Sequence, residues 1–272
     1  MNIGIIGLGL MGASFAKAWS TNHTIIGFDQ DNTVIDKATN DGVIHHAATS
    51  VSDVIAQADV LFICLYPQVT KDLIIEVQSQ FRDGMIVCDI AGVKSLYQDL
   101  VAPAGVDYVW THPIAGRALS GYDANNTLMF QGANFIITPT SNNQEQALEV
   151  ISQLAKECGF QTISRMTISE HDAKIAYTSQ LTHAIAVSLM NAATDLSFAP
   201  IIGDSFRDLT RIARINDVMW SELFLLNKTE LIAQMQHFQD QFDALVQAII
   251  KEDRDSIRSI MQSSKQKREL LP

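Results

Sequence analysis

The sequence predicts an α/β domain built on a mostly parallel sheet, followed by an all-α domain. Two observations predict it. Up to Arg165, short apolar runs alternate with amphipathic stretches, the pattern of consecutive βαβ units. After Arg165, strand-like runs nearly vanish and apolar residues recur at helical spacing. No repeat or low-complexity linker separates the halves, so the expected domains are 1–165 and 166–272, sharing a packed interface.

The elements follow in order. Ile3 to Ile6, Thr24 to Phe28, Val60 to Leu65, Met85 to Asp89, Val106 to Trp110, Asn134 to Thr138 and Gln161 to Ser164 are apolar or β-branched runs between polar segments, hence strands. Ala13 to Ser20, Val34 to Asp41 (ending at Gly42) and Gln144 to Cys158 carry helical periodicity. Ser169-Glu170-His171-Asp172 has the spacing of a capping box with Ser169 as the cap. Beyond it, helices are expected over Ala173 to Leu196, Phe206 to Arg214, Val218 to Lys228, Glu230 to Lys251 and Arg254 to Leu270.

Composition narrows the function classes. The chain has 272 residues, 47% of them hydrophobic, and a formal net charge of −11. Such an acidic chain is a poor binder of nucleic acid or of an anionic membrane by bulk charge. No run is long enough for a membrane span, and the first residues lack the pattern of a signal peptide. Cys64, Cys88 and Cys158 are isolated, without the spacing of a metal site or a disulfide framework. A protein of the reducing cytoplasm, with no metal, is expected.

Gly7-Leu8-Gly9-Leu10-Met11-Gly12 follows the first strand and opens the first helix. The first glycine permits a tight turn, the second a close approach of backbone to a pyrophosphate, and the third close packing of helix on strand. Gly7, Gly9, Leu10, Met11 and Gly12 would thus present a helix N-terminus to phosphates. Asp29 ends the second strand about twenty residues on, where a carboxylate accepts from ribose hydroxyls. It also repels a 2′-phosphate, and Gln30, Asp31 and Asn32 supply no cation to hold one. A Rossmann-type domain binding NAD rather than NADP is expected.

Three further segments are candidates for chemistry. His112, before Pro113 in an expected strand-end loop, would sit at the carboxyl edge of the sheet, where such folds bind ligands. Imidazole can take a proton from a hydroxyl near neutral pH, although a loop histidine taken alone is more often structural or merely solvated. Arg207, Arg211 and Arg214 cluster in an otherwise acidic chain. A planar guanidinium binds carboxylates, but a solvated helix face with pairs such as Arg207 and Asp208 accounts for them too. His183 lies on an apolar helix face, where a core role competes with a functional one.

Together these segments resemble the prephenate dehydrogenase family, which includes arogenate and cyclohexadienyl dehydrogenases. The likeness runs from Gly7 to Ser14 through Val93-Lys94, His112-Pro113-Ile114-Ala115-Gly116 and Ser120-Gly121. It continues with Glu170-His171-Asp172, Ser179 to His183, Phe206 to Ala213 and Met219-Trp220. The resemblance implies NAD-dependent oxidative decarboxylation of prephenate to 4-hydroxyphenylpyruvate, in tyrosine biosynthesis. It implies His112 as the base, His183 as a catalytic neighbour orienting substrate or nicotinamide, Arg211 on a substrate carboxylate and Trp220 as a pocket wall. Arg117 adds a cation that could touch a substrate carboxylate, with a solvated loop role equally open. A homodimer formed through the helical half is also implied.

The chain departs from the common family pattern at Gly92, where serine is usual, and at Arg117-Ala118, where threonine and glutamate are usual. Gln180 and Thr182 replace histidine and proline, and Asn216-Asp217 replaces Asp-Pro. These positions bear on the choice between prephenate and arogenate. Two other readings compete. A β-hydroxyacid dehydrogenase shares the glycine opening but needs a lysine on the interdomain helix, and Tyr177 to Asn191 has none. An NAD-sensing module without chemistry would need Asp29 and the glycines but not His112 with Arg211.

Overall fold

The computed structural model describes residues 1–117 and 119–271; Ala118, one of the departures above, lies outside them. The first part alternates strands and helices: β1 (Asn2–Ile6), α1 (Leu10–Trp19), β2 (Thr24–Phe28), α2 (Asn32–Asn40), β3 (His46–Ala47), α3 (Val51–Gln57), β4 (Val60–Ile63), α4 (Pro67–Val77), β5 (Ile86–Asp89), β6 (Asp107–Ile114), β7 (Asn134–Thr138), α5 (Glu145–Cys158) and β8 (Thr162–Arg165). One sheet of eight strands runs β3-β2-β1-β4-β5-β6-β7-β8. Every pair is parallel except β6 with β7. Parallel strands need covered faces, and two apolar clusters supply them. One, with Phe15, Trp19, Phe62, Phe130 and Phe160, lies under α1 and α5. The other, with Ile55, Ile74, Tyr97 and Trp110, lies under α3 and α4.

The helical part follows as α6 (Ile168–Ile175), a π-helical turn (Ala176–Gln180), α7 (Leu181–Asn191), α8 (Asp204–Thr210), a 3-10 turn (Arg211–Ala213), α9 (Asp217–Leu226), α10 (Lys228–Ile250) and α11 (Arg254–Glu269). No strand occurs among the described residues after Arg165.

Four expectations need correction. The segments 43–59 and 66–84, to which periodicity assigns no element before Val60 or after Leu65, hold β3, α3 and α4. The cap of α6 is Thr167, whose hydroxyl accepts from the Glu170 N–H while Glu170 accepts from the Thr167 N–H; Ser169 is already inside the helix. The long helix expected over Ala173 to Leu196 is interrupted by the π turn and ends at Asn191.

His112 stands in strand β6 rather than in a loop after it. Antiparallel pairing with β7 carries β6 through Pro113 to Ile114, with His112 opposite Ile136. β5 pairs β6 only as far as Val109. The Thr111 N–H points to the β5 side, where it donates to Asp89 Oδ1. Pro113, two residues on, therefore turns its missing N–H to an edge that has no strand, the place where a strand tolerates proline.

Candidate active site

The glycine turn has the shape its spacing predicts. Gly7 has φ +88°, and a Cβ there would meet the Cys64 carbonyl oxygen at 2.7 Å. A Cβ at Gly12 would meet the Gly7 carbonyl oxygen at 1.9 Å, so α1 packs against the turn only because that residue is glycine. Gly9 faces open space, with nothing within 4 Å of its Cβ position. It is also the N-cap of α1, makes no side-chain cap, and no acidic residue stands in the first turn. The first N–H groups of α1, over Leu10 and Met11, are thus presented to an anion. Asp29 closes the cradle: Oδ2 accepts from the Leu8 N–H at 2.8 Å and Oδ1 from the Asp31 N–H at 3.0 Å. An unobstructed helix end beside a fixed carboxylate fits a dinucleotide with free ribose hydroxyls.

His112 lies three strands from this turn in the sheet order, about 14 Å at ordinary strand spacing, and at the same carboxyl edge. Beneath it is a buried ion pair that the sequence did not announce. The Lys94 Nζ donates to Asp89 Oδ2 and to the Thr111 carbonyl, both at 2.5 Å, with both charged side chains wholly buried. Asp89 also accepts from the Ala91 and Thr111 N–H groups, and the Thr111 hydroxyl donates to the Asp89 carbonyl. These bonds tie the end of β5 to the residue preceding His112. Burial lowers the Lys94 pKa, with Asp89 opposing.

A second group reaches His112 from the helical part. Its Nδ1 lies 2.9 Å from His171 Nε2, and His171 Nδ1 lies 2.7 Å from Asp172 Oδ1. Asp172 accepts from the backbone N–H of Lys94 (2.9 Å) and of Ser95 (2.8 Å). Burial holds His112 well below the ordinary histidine value, with the charges of His171 and Lys94 adding to it. Burial lowers His171 too, against the pull of Asp172. In Asp172, the hydrogen bonds from His171, Lys94 and Ser95 outweigh burial, and its pKa is lowered. Gly92 borders the other ring nitrogen: a Cβ there would lie 3.7 Å from His112 Nε2 and 3.4 Å from a methyl of Leu223. The serine usual at this position would therefore fit against the histidine.

Leu223 connects this centre to the remaining candidates, since Trp220 is one turn earlier on α9. The His183 ring stacks on Trp220 with centroids 3.7 Å apart, and its Nδ1 donates to the Ser179 carbonyl at 2.9 Å. Burial lowers the His183 pKa, and the positive charge of Arg211 adds to that. Arg211 is exposed and has no ion pair among the described residues. Arg207 is committed elsewhere, to Asp204 Oδ1 and the Ile202 carbonyl, rather than to Asp208. Arg117 is exposed three residues beyond β6, and no described contact joins it to the site. The structure thus gathers His183, Trp220 and Arg211 on one side, and His112, Gly92 and Leu223 beside them.

Three departures from the family pattern hold local structure. Gln180 donates to the Leu223 carbonyl and accepts from Asn227. The Thr182 hydroxyl donates to the Ser179 carbonyl. Asn216 caps α9 and donates to the Tyr66 hydroxyl across the interface. Among the described residues no cluster of three or more His, Cys, Asp or Glu is placed to hold a metal, and no helix is long and apolar enough to cross a membrane.

Known proteins resemble this chain in both of its parts. Residues 12–164 match the family model of the prephenate dehydrogenase nucleotide-binding domain, and 167–263 that of the prephenate dehydrogenase dimerization domain. A cyclohexadienyl dehydrogenase of Zymomonas mobilis is 28% identical over 98% of this chain and 94% of its own. A prephenate dehydrogenase of Bacillus subtilis is 28% identical over 98% of this chain and 75% of its own. The crystal structure of prephenate dehydrogenase from A. aeolicus in complex with hydroxyphenyl propionate and NAD+ superposes with a TM-score of 0.88 at 25% identity, covering 100% of this chain and 98% of that one. On its sequence, its fold and both family models, the chain belongs to the prephenate dehydrogenase family.

Proposed function

We propose that this chain is an NAD-dependent prephenate dehydrogenase that converts prephenate to 4-hydroxyphenylpyruvate in tyrosine biosynthesis, with His112 as its base. The observation that carries this reading is His112 itself. It is a partly buried imidazole at the carboxyl edge of the sheet, anchored through Nδ1, with its pKa held low by burial and with Gly92 beside Nε2.

The residues divide the work. Gly7, Gly9, Leu10, Met11 and Gly12 hold the pyrophosphate, and Asp29 the ribose hydroxyls. NAD supplies the acceptor for the hydride that leaves the ring carbon bearing the hydroxyl. His112 Nε2 takes the hydroxyl proton as the carbonyl forms. The ring carboxylate departs as CO2, its bonding electrons aromatise the ring, and the resulting phenolate oxygen takes the proton back from His112 to give the product hydroxyl. Arg211 pairs with a substrate carboxylate, His183 and Trp220 form the wall, and Arg117 adds positive charge at the mouth. A lowered histidine pKa suits this base, which must be unprotonated near neutral pH.

We also assign residues 1–165 and 166–272 to separate domains and infer a cytoplasmic homodimer. Three free thiols suit a reducing compartment. The dimer inference rests on α10, which buries Leu231 and Ala248 inward yet exposes Met235, Phe238, Phe242 and Ile249 at helical spacing.

The test is NADH formation by the purified protein with prephenate and arogenate offered separately against NAD and NADP. Activity with prephenate and NAD is expected. Activity with arogenate alone would move the substrate and keep the residue roles. His112→Asn should lower turnover about 10²- to 10⁴-fold while NAD affinity, measured by calorimetry, stays unchanged. Undiminished turnover would remove His112 from the mechanism.

A further inference from the structure

We propose that His171 and Asp172 are positioning residues for the reaction: their hydrogen-bonded chain fixes the proton of His112 on Nδ1 and leaves a lone pair on Nε2, facing the substrate. The proposal rests on the reading of His112 as proton acceptor.

The proton positions follow from the acceptors. Asp172 is a carboxylate, which can only accept, so the contact at 2.7 Å requires a proton on His171 Nδ1. His171 is buried, and burial disfavours a second proton on its ring. Its Nε2 is therefore a lone pair. That nitrogen lies 2.9 Å from His112 Nδ1, and two lone pairs cannot face each other there. His112 must donate from Nδ1. A neutral imidazole has one ring proton, so Nε2 of His112, the nitrogen beside Gly92, is the acceptor. The opposite tautomer would leave two buried nitrogens unpaired, at a cost comparable to a lost hydrogen bond.

The chain is held from both parts of the molecule. The turn after β5 grips the Asp172 carboxylate through the Lys94 and Ser95 N–H groups. On the helical side, Asn227 Nδ2 donates to the Asp172 carbonyl at 2.9 Å and to Gln180 Oε1 at 2.8 Å. Gln180 in turn donates to the Leu223 carbonyl. The charged groups around the two rings are Lys94 and Asp89 beneath the sheet edge and Asp172 on α6. Lys94 opposes protonation of both histidines, with its charge largely answered by Asp89. Asp172 is thus the counter-charge for the imidazolium formed when the substrate proton arrives at Nε2.

The test uses the full-length enzyme with NAD and prephenate, in the variants H171Q, H171L and D172N. H171Q keeps an amide oxygen near the position of Nε2 and should hold kcat within about tenfold of the unmodified enzyme. H171L removes the acceptor and should lower kcat by up to about 10⁴-fold, the loss seen when the orienting partner of a catalytic histidine is replaced and the wrong tautomer results. KM for prephenate and Kd for NAD should change less than about threefold in both. D172N should lower kcat and move the acid limb of kcat to lower pH, because the negative charge that favours the imidazolium is gone. Long-range 1H–15N correlation on histidine-labelled enzyme should show His112 unprotonated at Nε2 in the unmodified protein. A proton found on Nε2 there, or equal kcat in H171L and H171Q, would overturn the proposal. The tautomer measurement needs no variant to fold. It also separates the two ideas: undiminished turnover in H112N would overturn the base reading, whatever tautomer is observed.

Discussion

At the residue scale the informative question is which polar side chains already have partners. Asp89, Lys94, His171 and Asp172 are all spoken for within the chain. Arg211 is different: it is exposed, lacks an ion pair among the described residues, and lies close enough to His183 to lower its pKa. In a protein of net charge −11, an unanswered guanidinium beside a histidine–tryptophan stack is suited to an anionic substrate. Hydrogen bonds to charged groups contribute roughly 1.5–3 kcal/mol. Arg211→Ala should therefore raise KM for prephenate roughly 10- to 150-fold and change kcat far less than His112→Asn does. Steady-state NADH formation measures both, and an unaltered KM would assign the carboxylate to Arg117 or Arg214. The candidates legible in the sequence were those carried by short motifs: the glycines, Asp29 and His112. His171 and Asp172 read in the sequence only as part of a capping box or of a resemblance, because their contacts are with a partner 59 residues away from His171 and with backbone donors 78 and 77 residues from Asp172.

At the scale of elements, apolar runs located seven of the eight strands, and the misses have physical causes. β3 is two residues long and both are exposed, so it carries no hydrophobic signal. α3 has seven residues and α4 begins at Pro67, which punctuates the pattern before the helix becomes periodic. The capping box is ambiguous in sequence because Ser169-x-x-Asp172 and Thr167-x-x-Glu170 share one spacing. The structure uses the second because the Asp172 carboxylate is engaged by His171, Lys94 and Ser95. The β5–β6 junction is where an element and the chemistry meet. Lys94 and Asp89 are wholly buried and together anchor Thr111, the neighbour of His112. Breaking a buried pair leaves an uncompensated charge, at a cost of about 3–5 kcal/mol. Lys94→Met should lose that much stability in urea unfolding and should lower turnover as well, because the Thr111 carbonyl loses its anchor. A change under about 1 kcal/mol, well below that range, would show that water or rearrangement satisfies Asp89.

At the scale of the whole molecule, the sheet and the helices each hold half of the site. The parallel sheet sets the glycine turn and His112 at one edge, and the helices bring Asp172, His171, Trp220 and Arg211 to it. The interface is stitched by Asn216 to Tyr66 and by Glu222 to the Gln68 N–H, so the site depends on how firmly the helices are held. Among these, α10 and α11 are covered on one side only. On α10, Phe238 and Phe242 lie outside with their rings 6.3 Å apart, and α11 has no buried residue. An apolar stripe of this length on a 23-residue helix is a surface that soluble chains normally cover. In the homodimer inferred above, a second copy would cover it with the same stripe, the self-complementary arrangement of a two-fold dimer. Phe238→Asp with Phe242→Asp places four like charges in that contact while disturbing no buried side chain of the monomer. In sedimentation experiments the unmodified protein should run as a dimer at micromolar concentration and the double variant as a monomer. Its thermal midpoint should also fall, because association stabilises the folded state by mass action. A monomer in both cases would mean that the stripe is covered by something other than this chain. A dimer in both would move the contact to α11 or to the exposed face of α9.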